Sequence, residues 1–154
     1  MTADNSKTDK AGPNEAEARP KAPPALLFVA WLIPGAGHWI LGKKLRAGVF
    51  AAVIVAAFIT GVLLDGELGA PEPGNPFSWL ATFACLGNGV LYFVRMIWIN
   101  GFGGLLGGIP FGLAGGGNPA AAGFAYGNTF LYTAGLMNLL TVLDVSDIAR
   151  GEKS

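Results

Sequence analysis

Few residues in this chain are of types that perform chemistry. His38 is the only histidine, and Asp144 and Asp147 stand at the end of the last long apolar run. If folding brought these three together, an aspartate could orient the imidazole as an acid or base, or the set could share a metal ion. The spacing does not favour either use. A helical metal site needs a second histidine four residues away, and no serine or cysteine nucleophile signature is present. Cys85 is the only cysteine and lies in an apolar run, so it reads as a small buried hydrophobe and excludes an intramolecular disulfide or a multi-cysteine cluster. The glycine-rich stretch 101–117 has no Gly-Lys-Ser/Thr and no following acidic metal ligand, so phosphate-loop chemistry is absent from it. No catalytic residue, metal or cofactor is therefore assigned.

A second set of polar residues sits inside apolar sequence: Asn88, Arg95, Asn128 and Asn138, with Asp144 and Asp147 at the end of the last run. Such groups face other helices, where an amide can bond across the bundle, or they line a polar route. The spacing predicts that Arg95 snorkels to the surface that carries Lys43 and Lys44. Asp147 and Arg150 have the spacing of a helical ion pair.

The elements that must position these groups follow from composition. In 154 residues, 52% are hydrophobic and 13% charged, and mean hydropathy is +0.49. A water-soluble fold cannot hide that much apolar surface. Ten basic and ten acidic residues cancel, leaving no field to attract nucleic acid. The reading is an all-α, small polytopic membrane bundle of about four apolar helices. Residues 1–24 are polar, proline-bearing and mixed in charge, and are expected to be a disordered tail. Residues 25–150 form a single transmembrane domain, and 151–154 a short polar end.

The first apolar segment, 25–41, is only just long enough to span, and Pro34, Gly35 and Gly37 break it. It either crosses as a broken helix or re-enters. The second, 47–64, is apolar on all sides and is the clearest span. Lys43, Lys44 and Arg46 precede it, and Asp65, Glu67 and Glu72 follow, which places the basic turn on the cytoplasmic side. A third helix is expected over 77–99. Glycine is abundant, at 24 residues, and 101–117 reads as an apolar loop, a partial re-entrant helix or a further crossing. The fourth helix, 124–143, continues through Asp144 to stop near Gly151. Charge leaves the side of both termini open.

Pro34, Gly35, Ala36, Gly37, His38, Trp39, Ile40, Leu41, Gly42 and Lys43 resemble the Gly-x-Gly-His-x-Tyr-x-Gly-basic turn of small bacterial membrane proteins related to the two-transmembrane-helix domain family. The run from Gly135 to Asp144 and Ile148 is similar to the aspartate-terminated helix of that family. Trp39 stands where the family has tyrosine, and the middle of the chain is longer. The resemblance implies an inner-membrane location and a structural turn formed by Pro34, Gly35, Gly37, His38, Gly42, Lys43, Lys44 and Arg46, with no catalytic assignment.

Three functions remain open to test. The leading one is a non-enzymatic membrane component, in contact with lipid, that packs against itself or a membrane-protein partner. A solute or ion route through the polar groups is the alternative, although no inverted repeat or selectivity filter is evident in the sequence. A membrane-embedded enzyme built on His38 and an aspartate is the third.

Overall fold

The computed structural model describes residues 22–102 and 116–153. Most of the expected tail and most of the glycine-rich stretch lie outside the described residues. Helix α1 (Pro24–Leu32) opens with proline in its first turn, where a missing N–H costs nothing. It stops because Pro34 offers no N–H to continue the helix and pushes Ile33 into extended backbone, at φ −119° and ψ 111°. Gly35, at φ 82°, turns the chain into the short α2 (Ala36–Ile40). The turn is sharp enough to set Gly37 against Ala30 and Val145, leaving no room for a side chain at Gly37.

Helix α3 (Lys44–Leu63) is 20 residues long, about 30 Å, which matches a hydrocarbon layer. The chain then reverses at Asp65, which has φ 60°. The loop that follows is pinned from below. Glu67 N donates to Asn128 Oδ1 at 2.7 Å, Gly69 N donates to Cys85 Sγ at 3.2 Å, and Leu68 is buried in the core. Asn75 caps α4 (Pro76–Leu86), its side chain accepting from Phe77 N at 3.1 Å.

The continuous helix expected over 77–99 is corrected here. The chain breaks at Gly87, Asn88 and Gly89, and the pieces on either side are bent by 107°. Gly89 takes φ 58° and ψ −127°, a conformation open to glycine and hostile to other residues. Helix α5 (Val90–Ile97) follows and widens into a π-helical turn over Trp98–Phe102. Helix α6 (Phe124–Ala149), 26 residues long, closes the fold, and Gly151 at φ 75° ends it.

Helices α3 and α6 run antiparallel and share the largest helix contact. At one end Gly61 meets Gly127 and Leu131, and at the other Gly37 of α2 lies on Val145 while Gly35 lies on Ala47. The inward stripe of α6 reads Gly127, Leu131, Gly135, Asn138, Thr141 and Val145. Small residues in it let backbones approach closely, the main source of cohesion where lipid removes the hydrophobic drive between helices. Among the described residues, α3 and α6 are long and apolar enough to cross a membrane, and the bent pair α4 and α5 adds a third only if counted as one span. That replaces the expectation of about four helices; α1 and α2, with 9 and 5 residues, are too short to cross singly.

The end holding Lys44 and Ala149 is the basic end, and the end holding Leu63 and Phe124 is the acidic end. Helix α1 runs inward from the basic end, because Ala30 lies at Val145 while the Trp31 carbonyl reaches Asn138, about two turns deeper along α6. Helix α2 returns to the basic end. Helix α4 runs inward from the acidic end, and α5 leads back toward it: Arg95 and Trp98 lie beside Phe58, Ile59 and Val62 of α3, and Ile99 lies beside Gly116. Arg95 is therefore not at the surface of Lys43 and Lys44, since the bend at Gly87–Gly89 carries it toward the opposite end. Each half of the chain is thus a broken hairpin followed by a long helix, and the two halves point in opposite directions. The sequence hid this inverted arrangement because the halves share only a glycine of positive φ that opens the second arm, Gly35 in one and Gly89 in the other, and no residue pattern.

Candidate functional site

The two breaks meet inside the bundle, and they determine where the polar side chains go. A broken helix frees backbone carbonyls that lipid cannot satisfy. The Nδ2 group of Asn138 donates to Trp31 O and to Gly87 O, both at 2.8 Å, and so closes one freed carbonyl from each hairpin. Asn88 Nδ2 donates to Cys85 O and across to Leu131 O, both at 3.0 Å. Trp31 Nε1 donates to Leu86 O at 3.2 Å. Gly89 lies directly on the carbonyls of Trp31 and Leu32, and a side chain there would collide with both. Thr141 Oγ1 donates to Asn138 O at 2.7 Å and steadies the central amide's turn of helix.

The second cluster is at the basic end. His38, on α2, is fully buried, and its ring packs at 5.1 Å against Phe50. Its Nε2 lies 2.9 Å from Asp144 Oδ2. A carboxylate only accepts, so Nε2 carries the proton in this bond. Nδ1 has no hydrogen-bond partner among the described residues. The other carboxylate oxygen of Asp144 takes Lys153 Nζ at 3.1 Å, and Asp147 takes the same ammonium at 2.9 Å. The pairing formed by Asp147 is thus with Lys153, because the chain folds back after Gly151 and brings Lys153 over the last turn of α6. Asp147 first, and Asp144 after it, raise the pKa of Lys153 above its ordinary value.

The remaining residues of the basic turn serve the backbone or face outward. Pro34 and Gly35 are buried at the break; Gly42, at φ 77°, opens onto free space. Lys43 precedes α3 and is half-buried, Lys44 and Arg46 are exposed, and the Lys44 ammonium lies 5.7 Å from the centre of the Trp39 ring. Asn128 is spent on the Glu67 backbone, and Arg95 is buried beside the apolar groove of α3 and α5. Tyr126, on the outer face of α6, is 69% exposed. On the acidic end a cleft of about 240 Å³ is lined by Glu67, Glu72, Asn75, Ser78, Asn128 and Tyr132. Its serine is engaged with the backbone of Glu72 and Asn75, so it serves the loop.

Sequence reasoning missed Trp31 and Lys153, the two partners that complete these clusters. The signal for Trp31 was its place one turn before Pro34, where an indole N–H can reach a neighbouring break. Among the described residues, no group of three or more His, Cys, Asp or Glu side chains could hold a metal ion.

A small helical membrane protein is the class these features define. The chain belongs to a family of unknown function, DUF6677, which residues 25–154 match. No curated protein and no solved structure matches it.

Proposed function

We propose that the protein is a non-enzymatic, partner-binding or structural component of a membrane assembly, seated in a bacterial inner membrane with its basic end in the cytoplasm. One observation carries this reading: the amide donors of the interior are spent on the protein's own backbone. Asn138 bonds one carbonyl at each helix break, and Asn88 bonds Cys85 O beside the second break and Leu131 O within α6. His38, the group best suited to proton chemistry, is sealed beside Phe50 and held by Asp144, with no exposed surface to offer a substrate. At the basic end, exposed Lys44 and Arg46 stand next to exposed Trp39, Ile40 and Leu45. Two long apolar helices and the turn around His38 also support kinship with the two-transmembrane-helix domain family. Crosslinking in native membranes tests the proposal: recovery of a reproducible complex, of this chain with itself or with a partner, that is weakened by Lys44→Glu supports it. A strictly monomeric protein with no recovered partner counts against it.

A second reading, passage of a small solute or ion, draws on the inverted pair of hairpins, a geometry that transporters use to place a site at mid-depth. The amides at the meeting point would then release the breaks during transport. Purified protein in liposomes that moves no ion or small solute over a broad screen would remove this reading.

A further inference from the structure

We infer that the basic end holds a site for one anionic phospholipid, with its headgroup at Lys44 and an acyl chain in the groove beside it. This goes beyond the partner-binding reading and stands on the groove and its charge alone. The groove, about 270 Å³, is open on one side and is lined by Ile33, Pro34, Gly35, Trp39, Gly48 and Ala51, with Ala36 and Ala47 at its floor. No titratable side chain lines it. Lys44, Gly48 and Ala51 lie on one face of α3 at helical spacing, so the groove follows the helix axis into the bundle from an ammonium at its mouth. That ammonium is held over Trp39, itself a wall of the groove and 60% exposed.

The groove exists because two glycines lack bulk. Gly35 packs directly on the backbone of Ala47, and Gly48 presents bare backbone with nothing within 4 Å of where a Cβ would stand. An isolated apolar groove would accept any chain or helix. A positive charge at the outer end and apolar wall along the rest match a molecule with the same polarity at the same spacing, which is a phospholipid with a net negative headgroup. Trp39 has the amphipathic ring that sits at headgroup depth, and Lys44 can keep its stem on apolar surface while its charge reaches a phosphate.

The test is native mass spectrometry of delipidated, full-length protein titrated with phosphatidylglycerol or phosphatidylcholine of the same acyl chains. The wild-type protein is expected to retain one phosphatidylglycerol in preference to phosphatidylcholine. Lys44→Gln should lower phosphatidylglycerol retention about fivefold, the equivalent of about 1 kcal/mol for one basic group near an anionic surface, and leave phosphatidylcholine unchanged. Gly48→Leu fills open space at an ordinary helical position. It should abolish retention of the bound lipid without lowering the unfolding midpoint, which separates loss of the site from loss of the fold. Equal retention of both lipids by the wild type, or full retention by Gly48→Leu, overturns the proposal. Displacement of the lipid by inorganic phosphate alone overturns it as well, because the chain would then contribute nothing. If Gly48→Leu changes the oligomeric state and not lipid retention, the groove seats a second copy and the proposal fails.

Discussion

The side-chain amide of Asn138 lies 2.8 Å from the carbonyl of Trp31, a residue 107 positions earlier in the chain. The same nitrogen lies 2.8 Å from Gly87 O, so one amide group ties the first helix break to the second. Replacing it leaves two buried carbonyls without a donor. Asn138→Leu should therefore destabilise the protein by about 2 kcal/mol or more, at roughly 1–3 kcal/mol for each buried group left unsatisfied. Reversible unfolding in mixed micelles measures this. A loss no larger than that of the neighbouring exposed Leu136→Ala would show that the bridge contributes little.

Glycines of positive φ should separate into two groups. Gly89 lies against the carbonyls of Trp31 and Leu32, whereas Gly42 has open space around its missing side chain. Gly42→Ala should cost about 1 kcal/mol, the strain of placing a side chain in left-handed backbone. Gly89→Ala adds a collision to strain, so it should unfold the protein or disconnect the hairpins. Comparable midpoints for the two variants would contradict the close approach of the breaks.

His38 and Asp144 should be energetically coupled. A double-mutant cycle of His38→Gln and Asp144→Asn is expected to return about 1.5–3 kcal/mol, the range for a hydrogen bond to a charged group. Additive losses would mean that the 2.9 Å contact adds nothing beyond packing of the ring on Phe50.

The fold-back of the C-terminus should loosen in alkali. The pKa of Lys153 is raised, first by Asp147 and then by Asp144. A raised pKa in the folded state means that the ion pair contributes fully below the ordinary lysine value of 10.5 and is lost as pH rises through the elevated value. Because Lys153 is half-exposed, the effect is local and screened by salt. Protection of the last turn of α6, its exchange measured relative to the intrinsic base-catalysed rate, should fall above that pH, and Lys153→Gln should show the lower protection already at neutral pH. Protection that is the same at every pH and in the variant would dismiss the pair as a lock.

The inverted hairpins make a topological prediction. In a Cys85→Ala background, cysteines at Pro23, Lys43 and Glu152 should react with an impermeant reagent from one side of the membrane. Cysteines at Glu72 and Asn118 should react from the other. Labelling of Pro23 and Lys43 from opposite sides would show that the first segment crosses.

The sequence alone determined the solvent of this protein and the first of its two helix breaks. A run such as 47–64, apolar on every side, has one stable setting, and Pro34 must stop a helix wherever it falls, because it lacks the N–H that a helix needs. Those are local properties, readable residue by residue. The same locality explains the errors. Nothing in Leu86–Val90 but two glycines marked a bend of 107°, because Gly89 becomes essential only once the Trp31 carbonyl is in place above it. A straight helix through that bend would carry Arg95 to the basic end, whereas the bend turns α5 back toward the acidic end. The pairing of His38 with Asp144, separated by 106 positions, and the double bridge of Asn138 were beyond any local pattern. They depend on where two broken hairpins put their freed carbonyls and on which residue of α6 then stands opposite, a relation between distant segments that only the tertiary structure decides.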